Sequence, residues 1–271
     1  MRAIRPKRRW GQNFLIDKNI ARKIAAAALA SPPPRLMIEI GPGAGALTDL
    51  LLKENDPYIG IEVDPQLSRR LLEKFSETVN FSLVQQDFLK TELPPLLQKH
   101  PGANPVIVGN IPYNITTPIL FKLFEHADEL DSAILMMQKE VGERLIAAPS
   151  TKQYGLLAIN SQLFAEVDKV TAVPAHLFSP KPKVDSVVMR LRFKKGVTAA
   201  FTDFNLFRKV LRHCFQHRRK MLRKSLSMLF SSADLSKLNI DLTQRPEQLS
   251  IQSWKELTEV IHPHLQGGSR K

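Results

Sequence analysis

The strongest constraint on the fold is a succession of short apolar runs separated by helical patterns. LMIEIG (36–41), YIGIEV (58–63), FSLVQQ (81–86) and PVIVGN (105–110) each have the length of a strand. The segments Ala46–Lys53, Pro65–Phe75 and the shorter Leu93–Lys99 between them have helical spacing. Pro65 suits a first helical turn, where its missing N–H is not needed. Strand, helix, strand at this interval predicts a parallel sheet with helices on its faces, an α/β fold. A fifth strand is expected at AILMMQ (133–138), followed by a helix in KEVGERLIAA. VDSVVMRLRF (184–193) alternates apolar and polar residues and reads as a late antiparallel strand. From Asp203 onward only helical patterns remain, at 203–213, 217–230, a short turn near 234–239, and 250–261. Two domains are therefore expected: an α/β domain over 1–198 with a basic N-terminal segment, and a small all-α domain over 199–271.

In an open parallel sheet, ligands bind beyond the carboxyl ends of the strands. The first strand ends in Glu39-Ile40-Gly41-Pro42-Gly43-Ala44-Gly45, the second in Glu62-Val63-Asp64, the third in Gln86-Asp87-Phe88 and the fourth in Asn110-Ile111-Pro112-Tyr113. The glycine spacing is G-x-G-x-G, not the G-x-G-x-x-G of dinucleotide sites. Taken alone it is equally a tight strand-to-helix turn. Bare Cα atoms there let the backbone approach a ligand closely. Glu62 lies twenty-one residues after Gly41, where a carboxylate accepts the hydroxyls of a ribose. Asp87, one strand further, can accept from an adenine amino group. Each acid alone is an ordinary loop residue; three strand ends in this order point to an adenosine-bearing ligand.

The fourth strand end narrows the chemistry. An exocyclic amine on a nucleobase is a poor nucleophile, because its lone pair is delocalised into the ring. Two acceptors on its N–H bonds, the Asn110 side-chain oxygen and the Ile111 carbonyl, draw the nitrogen towards a tetrahedral geometry. Pro112 stiffens the turn, and Tyr113 offers a stacking face for a base taken out of its stack.

Charge adds the partner. The net charge is +13, and two segments carry all of the excess. Residues 1–24 contribute +7 and residues 178–224 contribute +12, while the remainder is −6. Concentrated Lys and Arg neutralise phosphates and release counterions, which favours a nucleic-acid partner. Phe207–Lys224 (FRKVLRHCFQHRRKMLRK) reads as one amphipathic helix with a basic face. Such a helix can also lie on a membrane surface or pack on its own domain. His213 and His217 read as surface or RNA-contact residues, not metal ligands. Cys214, the one cysteine, excludes a disulfide framework and a Cys-rich zinc site and suits a reducing compartment. No apolar run approaches the roughly 18 residues of a membrane span. The stretch Ile24–Ala30 after the basic start is too short for export, so a cytoplasmic protein without membrane contact is expected.

These strand ends resemble the cleft of class I S-adenosylmethionine-dependent methyltransferases, which are Rossmann-like. Asn110-Ile111-Pro112-Tyr113 is similar to their Asp/Asn/Ser-Pro-Pro-Tyr/Phe amino-methyltransferase motif. More specifically, GQNFL (11–15), EIGPGAGALT (39–48), NIPYNITTPILF (110–121), QKEVGERL (138–145) and FSPKPKVDSV (178–187) resemble the rRNA adenine N6,N6-dimethyltransferase family. The resemblance spans about residues 8 to 261. FQHRRKMLRKSL (215–226) and RPEQLSIQSWKEL (245–257) look like the branch acting on small-subunit rRNA. Ile111 departs from the proline common there and is shared with the large-subunit resistance branch. A resistance-type enzyme and a non-catalytic RNA-binding module are the alternatives; the intact Glu62, Asp87 and Asn110–Tyr113 set argues against the second.

The resemblance implies S-adenosylmethionine as cofactor, S-adenosylhomocysteine as product, and no metal. Asn13 and Leu15 would close over the cofactor. Gly41 would approach its methionine part, Glu62 its ribose and Asp87 its adenine, with Gly43 and Asn110 also in contact with the cofactor. Asn110, Ile111, Pro112 and Tyr113 would hold the target adenine, and Phe178 would stack on its other face. Arg8, Arg9, Arg218, Arg219, Lys220 and Arg223 would grip RNA phosphates. The implied partner is the small ribosomal subunit with its 16S rRNA, met by a monomer. The implied product is N6,N6-dimethyladenosine at two adjacent sites.

Overall fold

Runs of Val, Ile, Leu and Met with almost no polar interruption suit strands buried on both faces, as in a parallel sheet. The computed structural model describes residues 10–231, 235–236 and 238–266. Its first long helix is α1 (Lys18–Leu29), after the two-residue strand β1 (Phe14–Leu15). Asp17 caps α1: its Oδ1 accepts from the Ile20 N–H at 2.7 Å, a cap worth about 1 kcal/mol. Ile20, Ala21, Ile24, Ala25 and Ala28, three and four residues apart, form its buried face.

The sheet then alternates with helices: β2 (Arg35–Ile40), α2 (Thr48–Leu51), β3 (Tyr58–Ile61), α3 (Pro65–Lys74), β4 (Phe81–Val84), α4 (Pro94–Leu97), β5 (Asn104–Asn110), α5 (Thr116–Glu125), β6 (Ser132–Gln138) and α6 (Lys139–Leu145). α7 (Leu156–Phe164) leads into β7 (Ala165–Val173), then the short β8 (Phe178–Ser179) and β9 (Ser186–Phe193). The seven-stranded sheet has the order β4-β3-β2-β5-β6-β9-β7. β2 to β6 pair in parallel; β9 is antiparallel to both β6 and β7. All five expected parallel strands and the late antiparallel one form. β7 is an added edge strand. β1 pairs with β8 in a separate ladder, with Leu15 opposite Phe178.

The chain forms two compact units, one of residues up to Gly142 plus Ala165–Lys194, the other of Glu143–Phe164 plus residues from Lys195. A single cut at 198/199 therefore differs from the observed units. α7 belongs with the C-terminal helices because Ala158 and Ile159 are buried in the same apolar cluster as Phe207, Cys214 and Trp254. That second unit contains α8 (Phe204–Gln216), α9 (Leu222–Leu226) and the C-terminal helix Ile251–Gln266.

The expected continuous helix Phe207–Lys224 is corrected. α8 ends at Gln216, His217–Lys220 form a turn, and Met221 is extended (φ −61°, ψ 150°) ahead of α9. Four consecutive polar residues give the core nothing to bury, and Leu222 re-enters it. The expected helix 217–230 shrinks to α9 for the same reason. Of the expected turn at 234–239, residues 234 and 237 lie outside the described residues. Cys214 is fully buried, and burial pushes its thiol up to about 12, so it is inert at neutral pH. No helix among the described residues is long and apolar enough to cross a membrane.

Candidate active site

The strand order reverses between β2 and β5. After β2 the chain builds outward through β3 and β4; from β5 it builds the other way. That reversal is where open α/β sheets receive ligands. The ends of β2 and β5 lie side by side, Ile40 opposite Gly109. A Cβ on Gly109 would stand 2.8 Å from the Ile40 carbonyl oxygen, so only glycine allows the approach. The cleft beyond holds about 850 Å³ of empty space, its open mouth included. Its walls are the N-terminal segment 10–15, the glycine loop, Glu39, Glu62 and Asn110–Tyr113.

Gly41 and Gly43 both have left-handed backbone, with φ +64° and +62°. No atom lies within 4 Å of where a Gly41 Cβ would stand, so this residue fronts open space in the cleft. Glu62 is buried, and its carboxylate organises the loop. Oε2 accepts from the Gly43 N–H at 3.0 Å and Oε1 from the Asp64 N–H at 2.9 Å. Burial raises its pKa, and these backbone donors oppose the rise. The Val63 N–H also acts on this carboxylate; with about four acceptor sites on an ionised carboxylate, capacity remains for a hydroxyl donor. Asp87, half-buried at the end of β4, caps the turn Phe88–Lys90: its Oδ1 accepts from the Leu89 N–H at 2.9 Å. It stands at the adjacent strand end, outside the walls of the cleft.

The Asn110 amide is fixed from one side: its Nδ2 donates to the Asn13 carbonyl at 2.7 Å. Oδ1 is left as the acceptor. The Ile111 N–H donates to the Met136 carbonyl at 3.0 Å, locking the next peptide to β6. The Pro112 carbonyl accepts from the Ile115 N–H and the Thr116 hydroxyl, each at 3.1 Å. Tyr113 is half-buried and anchored at its tip, its hydroxyl 2.6 Å from Ser186 Oγ. Burial pushes the phenol pKa up, so it remains protonated. The segment carrying Asn13 is itself held by the β1–β8 ladder and by the Ile16 N–H, which donates to the Leu177 carbonyl at 3.0 Å.

A family model described as "Ribosomal RNA adenine dimethylase" matches residues 4–262. The chain belongs to this family. The dimethylase is 38% identical over 255 residues to "Ribosomal RNA small subunit methyltransferase A" of Shewanella sp. (strain W3-18-1), covering 94% of each chain. It is 37% identical over 272 residues to the protein of that name from Picosynechococcus sp., covering 96% of this chain and 99% of the other. Among solved structures it resembles a dimethyladenosine transferase from Plasmodium falciparum, with a TM-score of 0.74, 28% identity and coverage of 90% and 95%. It also resembles the 23S rRNA methyltransferase ErmE, with a TM-score of 0.67, 28% identity and coverage of 92% and 100%. The fold is thus Rossmann-like, and the enzyme is an S-adenosylmethionine-dependent rRNA adenine dimethyltransferase. The cleft fits that cofactor: a bare Cα at Gly41 leaves room for it, and Glu62 retains acceptor capacity.

The structure brings Asn13, Leu15, Gly41, Gly43, Glu62 and Asn110–Tyr113 of the dimethylase around one cleft. Phe178 is not on its wall. That ring is 3% exposed, in the apolar cluster with Val173 and Val188, while its backbone pairs with Leu15. Two residues that lie within the quoted motifs were given no site role of their own by the sequence. Ser186 anchors Tyr113 from 73 positions away. Glu39 lines the cleft although only 2% exposed, its Oε2 accepting from the Tyr58 hydroxyl at 2.6 Å and the Thr48 hydroxyl at 2.8 Å. Desolvation raises its pKa from 4.5 to about 7, with the two hydroxyls opposing.

In the second unit Arg219, Lys220 and Arg223 are exposed. Arg218 is engaged internally: Nε donates to Glu247 at 3.1 Å and Nη2 to the Lys152 carbonyl at 2.9 Å. His213 and His217 are half-buried. The first lies 3.0 Å from the Ser225 carbonyl through Nε2, the second 3.1 Å from the His213 carbonyl through Nδ1. Among the described residues no group of three or more His, Cys, Asp or Glu side chains could hold a metal. Arg8 and Arg9 lie outside the described residues.

Proposed function

We propose that this dimethylase modifies N6 of two adjacent adenosines in a stem-loop near the 3′ end of small-subunit 16S rRNA, during small-subunit biogenesis. The observation that carries the reading is the hydrogen bond from Asn110 Nδ2 to the Asn13 carbonyl. With the amide nitrogen tied down, Oδ1 faces outward as an acceptor, and the Ile111 carbonyl supplies a second. Together they accept both N6–H bonds of an extruded adenine and draw the lone pair out of conjugation. Tyr113 holds the base by its ring face, its tilt fixed through Ser186. S-adenosylmethionine supplies, when bound, a methyl group on a sulfonium, which is a good leaving group. Glu62 holds the ribose hydroxyls, the glycine loop leaves space for the methionine part, and Asp87, at the next strand end beyond the cleft wall, accepts from the adenine amine where the cofactor reaches past that wall. Asn13 and Leu15 cover the cleft and exclude water. Positioning and acceptor geometry supply the acceleration.

Arg8, Arg9, Arg219, Lys220 and Arg223 neutralise phosphates of the rRNA, with Arg218 bracing the turn it shares with Arg219 and Lys220. Shape and unstacked bases supply the selectivity for a stem-loop. The small-subunit target is supported by the names of relatives such as the Shewanella protein.

The test uses labelled S-adenosylmethionine and small subunits lacking the modification, with nucleoside mass spectrometry of the product. Dimethyladenosine at two adjacent positions is expected. Transfer only to naked large-subunit rRNA would replace this reading with the resistance type. Asn110→Ala is expected to bind RNA as before and to lose about 10²–10³-fold in transfer rate, the usual loss for one preorganised polar group at a reacting centre.

A further inference from the structure

The side chain of Lys122, on α5, is turned against the loop that follows β4. Its Nζ donates to the Phe88 carbonyl at 2.9 Å, the Leu89 carbonyl at 3.2 Å and the Thr91 carbonyl. An ammonium has three donors, and three carbonyls of one turn receive them. These carbonyls belong to the turn that Asp87 caps at its N-terminal end and to Thr91, which follows it; the Phe88 carbonyl also accepts from the Thr91 N–H at 3.2 Å. A cation at the carbonyl end and a carboxylate at the amide end both favour the local dipole. The rest of the turn is fastened in the same way. The Asp87 carbonyl accepts from the Lys90 N–H at 2.9 Å, the Thr91 N–H at 3.1 Å and the Thr91 hydroxyl at 3.0 Å. Nζ also lies 5.2 Å from the centre of the Phe88 ring. Burial lowers the Lys122 pKa; the negative charge of Asp87 is the largest influence opposing that.

We propose that Lys122 is a positioning residue for cofactor recognition: it fixes the turn that aims Asp87 at the adenine amino group. Because α5 begins three residues after Tyr113, the same side chain ties the adenine-reading turn to the element that follows the substrate loop. The inference rests on the reading of Asp87 as the adenine acceptor, and the experiment separates the two.

Calorimetry would give the affinities of S-adenosylhomocysteine and of its inosine analogue, which has an oxygen in place of the amine. The full-length enzyme is expected to prefer the adenosine form by about tenfold, the range of one hydrogen bond to a charged group. Lys122→Met is expected to lose most of that preference by weakening the adenosine form, with the inosine form changed less than about twofold. A merely structural role would weaken both ligands equally, and that result, or an intact preference, overturns the proposal. Should Lys122→Met not fold, Lys122→Gln, which keeps one donating group, is read the same way. Asp87→Asn tests the underlying reading. If it keeps the preference, Asp87 does not read the amine. If it abolishes the preference while the Lys122 variants keep it, the reading stands and Lys122 has no part in it.

Discussion

Glu39 lies in the middle of the sheet, with Gly60 and Val108 beside it on the neighbouring strands. Its neutral form is favoured: desolvation moves the pKa from 4.5 to about 7 in the fold. Between those values the folded chain keeps a proton that the unfolded chain has released. Stability attached to this group is therefore complete below pH 4.5 and is lost as pH rises through 7. The slope is about 1.4 kcal/mol per pH unit, so the loss over the interval is about 3 kcal/mol. Glu39→Gln imitates the protonated acid and has no such loss. Urea unfolding of both proteins from pH 4.5 to 8.5 is the assay. The variant should match the wild type near pH 4.5, gain steadily on it to pH 7, and hold a constant advantage above. A difference independent of pH would refute the raised pKa. A variant that loses ground as pH rises would mean that Tyr58 and Thr48 hold the carboxylate more firmly than burial opposes it. The same carboxylate lines a cleft that receives a sulfonium cation. Glu39→Gln should therefore narrow the affinity gap between S-adenosylmethionine and neutral S-adenosylhomocysteine at pH 8.

Gly41→Ala is expected to cost about 1–2 kcal/mol of stability for a left-handed alanine, and its methyl group enters the cleft; calorimetry should show weakened cofactor binding with RNA affinity unchanged. Ser186→Ala frees the tip of Tyr113 and should reduce transfer rate by about tenfold, the worth of one hydrogen bond near 1.4 kcal/mol, while the melting temperature shifts little; steady-state kinetics on small subunits checks it. Replacing Arg219, Lys220 and Arg223 together by Ala should weaken RNA binding without changing its sequence preference. The salt dependence of log K should flatten by about 0.7–0.9 for each phosphate that is no longer neutralised, measured by titration at several ionic strengths.

The parallel strands were legible because strands covered on both faces have little polar interruption. β7 was not, because an edge strand half open to solvent mixes the two classes: AEVDKVTAV reads as a polar loop until Asp168 and Glu166 are seen paired with Arg190 and Arg192 of β9. β1 and β8 have two residues each, too few for any period. Yet their ladder holds Asn13, which in turn orients Asn110. The break after α8 was hidden for the opposite reason. Apolar spacing resumes at Met221 and Leu222 nearly in phase, so the pattern continues across a turn where the backbone does not.

Within the site, sequence order identified residues that end strands, because the sheet fixes where they stand. It could not identify those whose role depends on contact across the fold. Glu39 and Glu62 look alike in the sequence, each at or near the end of an apolar run. The structure separates them by their donors. Glu62 accepts backbone N–H groups and serves the loop, whereas Glu39 accepts two side-chain hydroxyls within the sheet. Ser186 and Lys122 touch no reacting group, so no motif of reacting residues contains them by necessity. What makes each of them matter is a partner 73 or about 30 positions away. The chemistry of this enzyme is therefore written at the strand ends, and the precision of that chemistry is set by hydrogen bonds that only the folded chain brings into range.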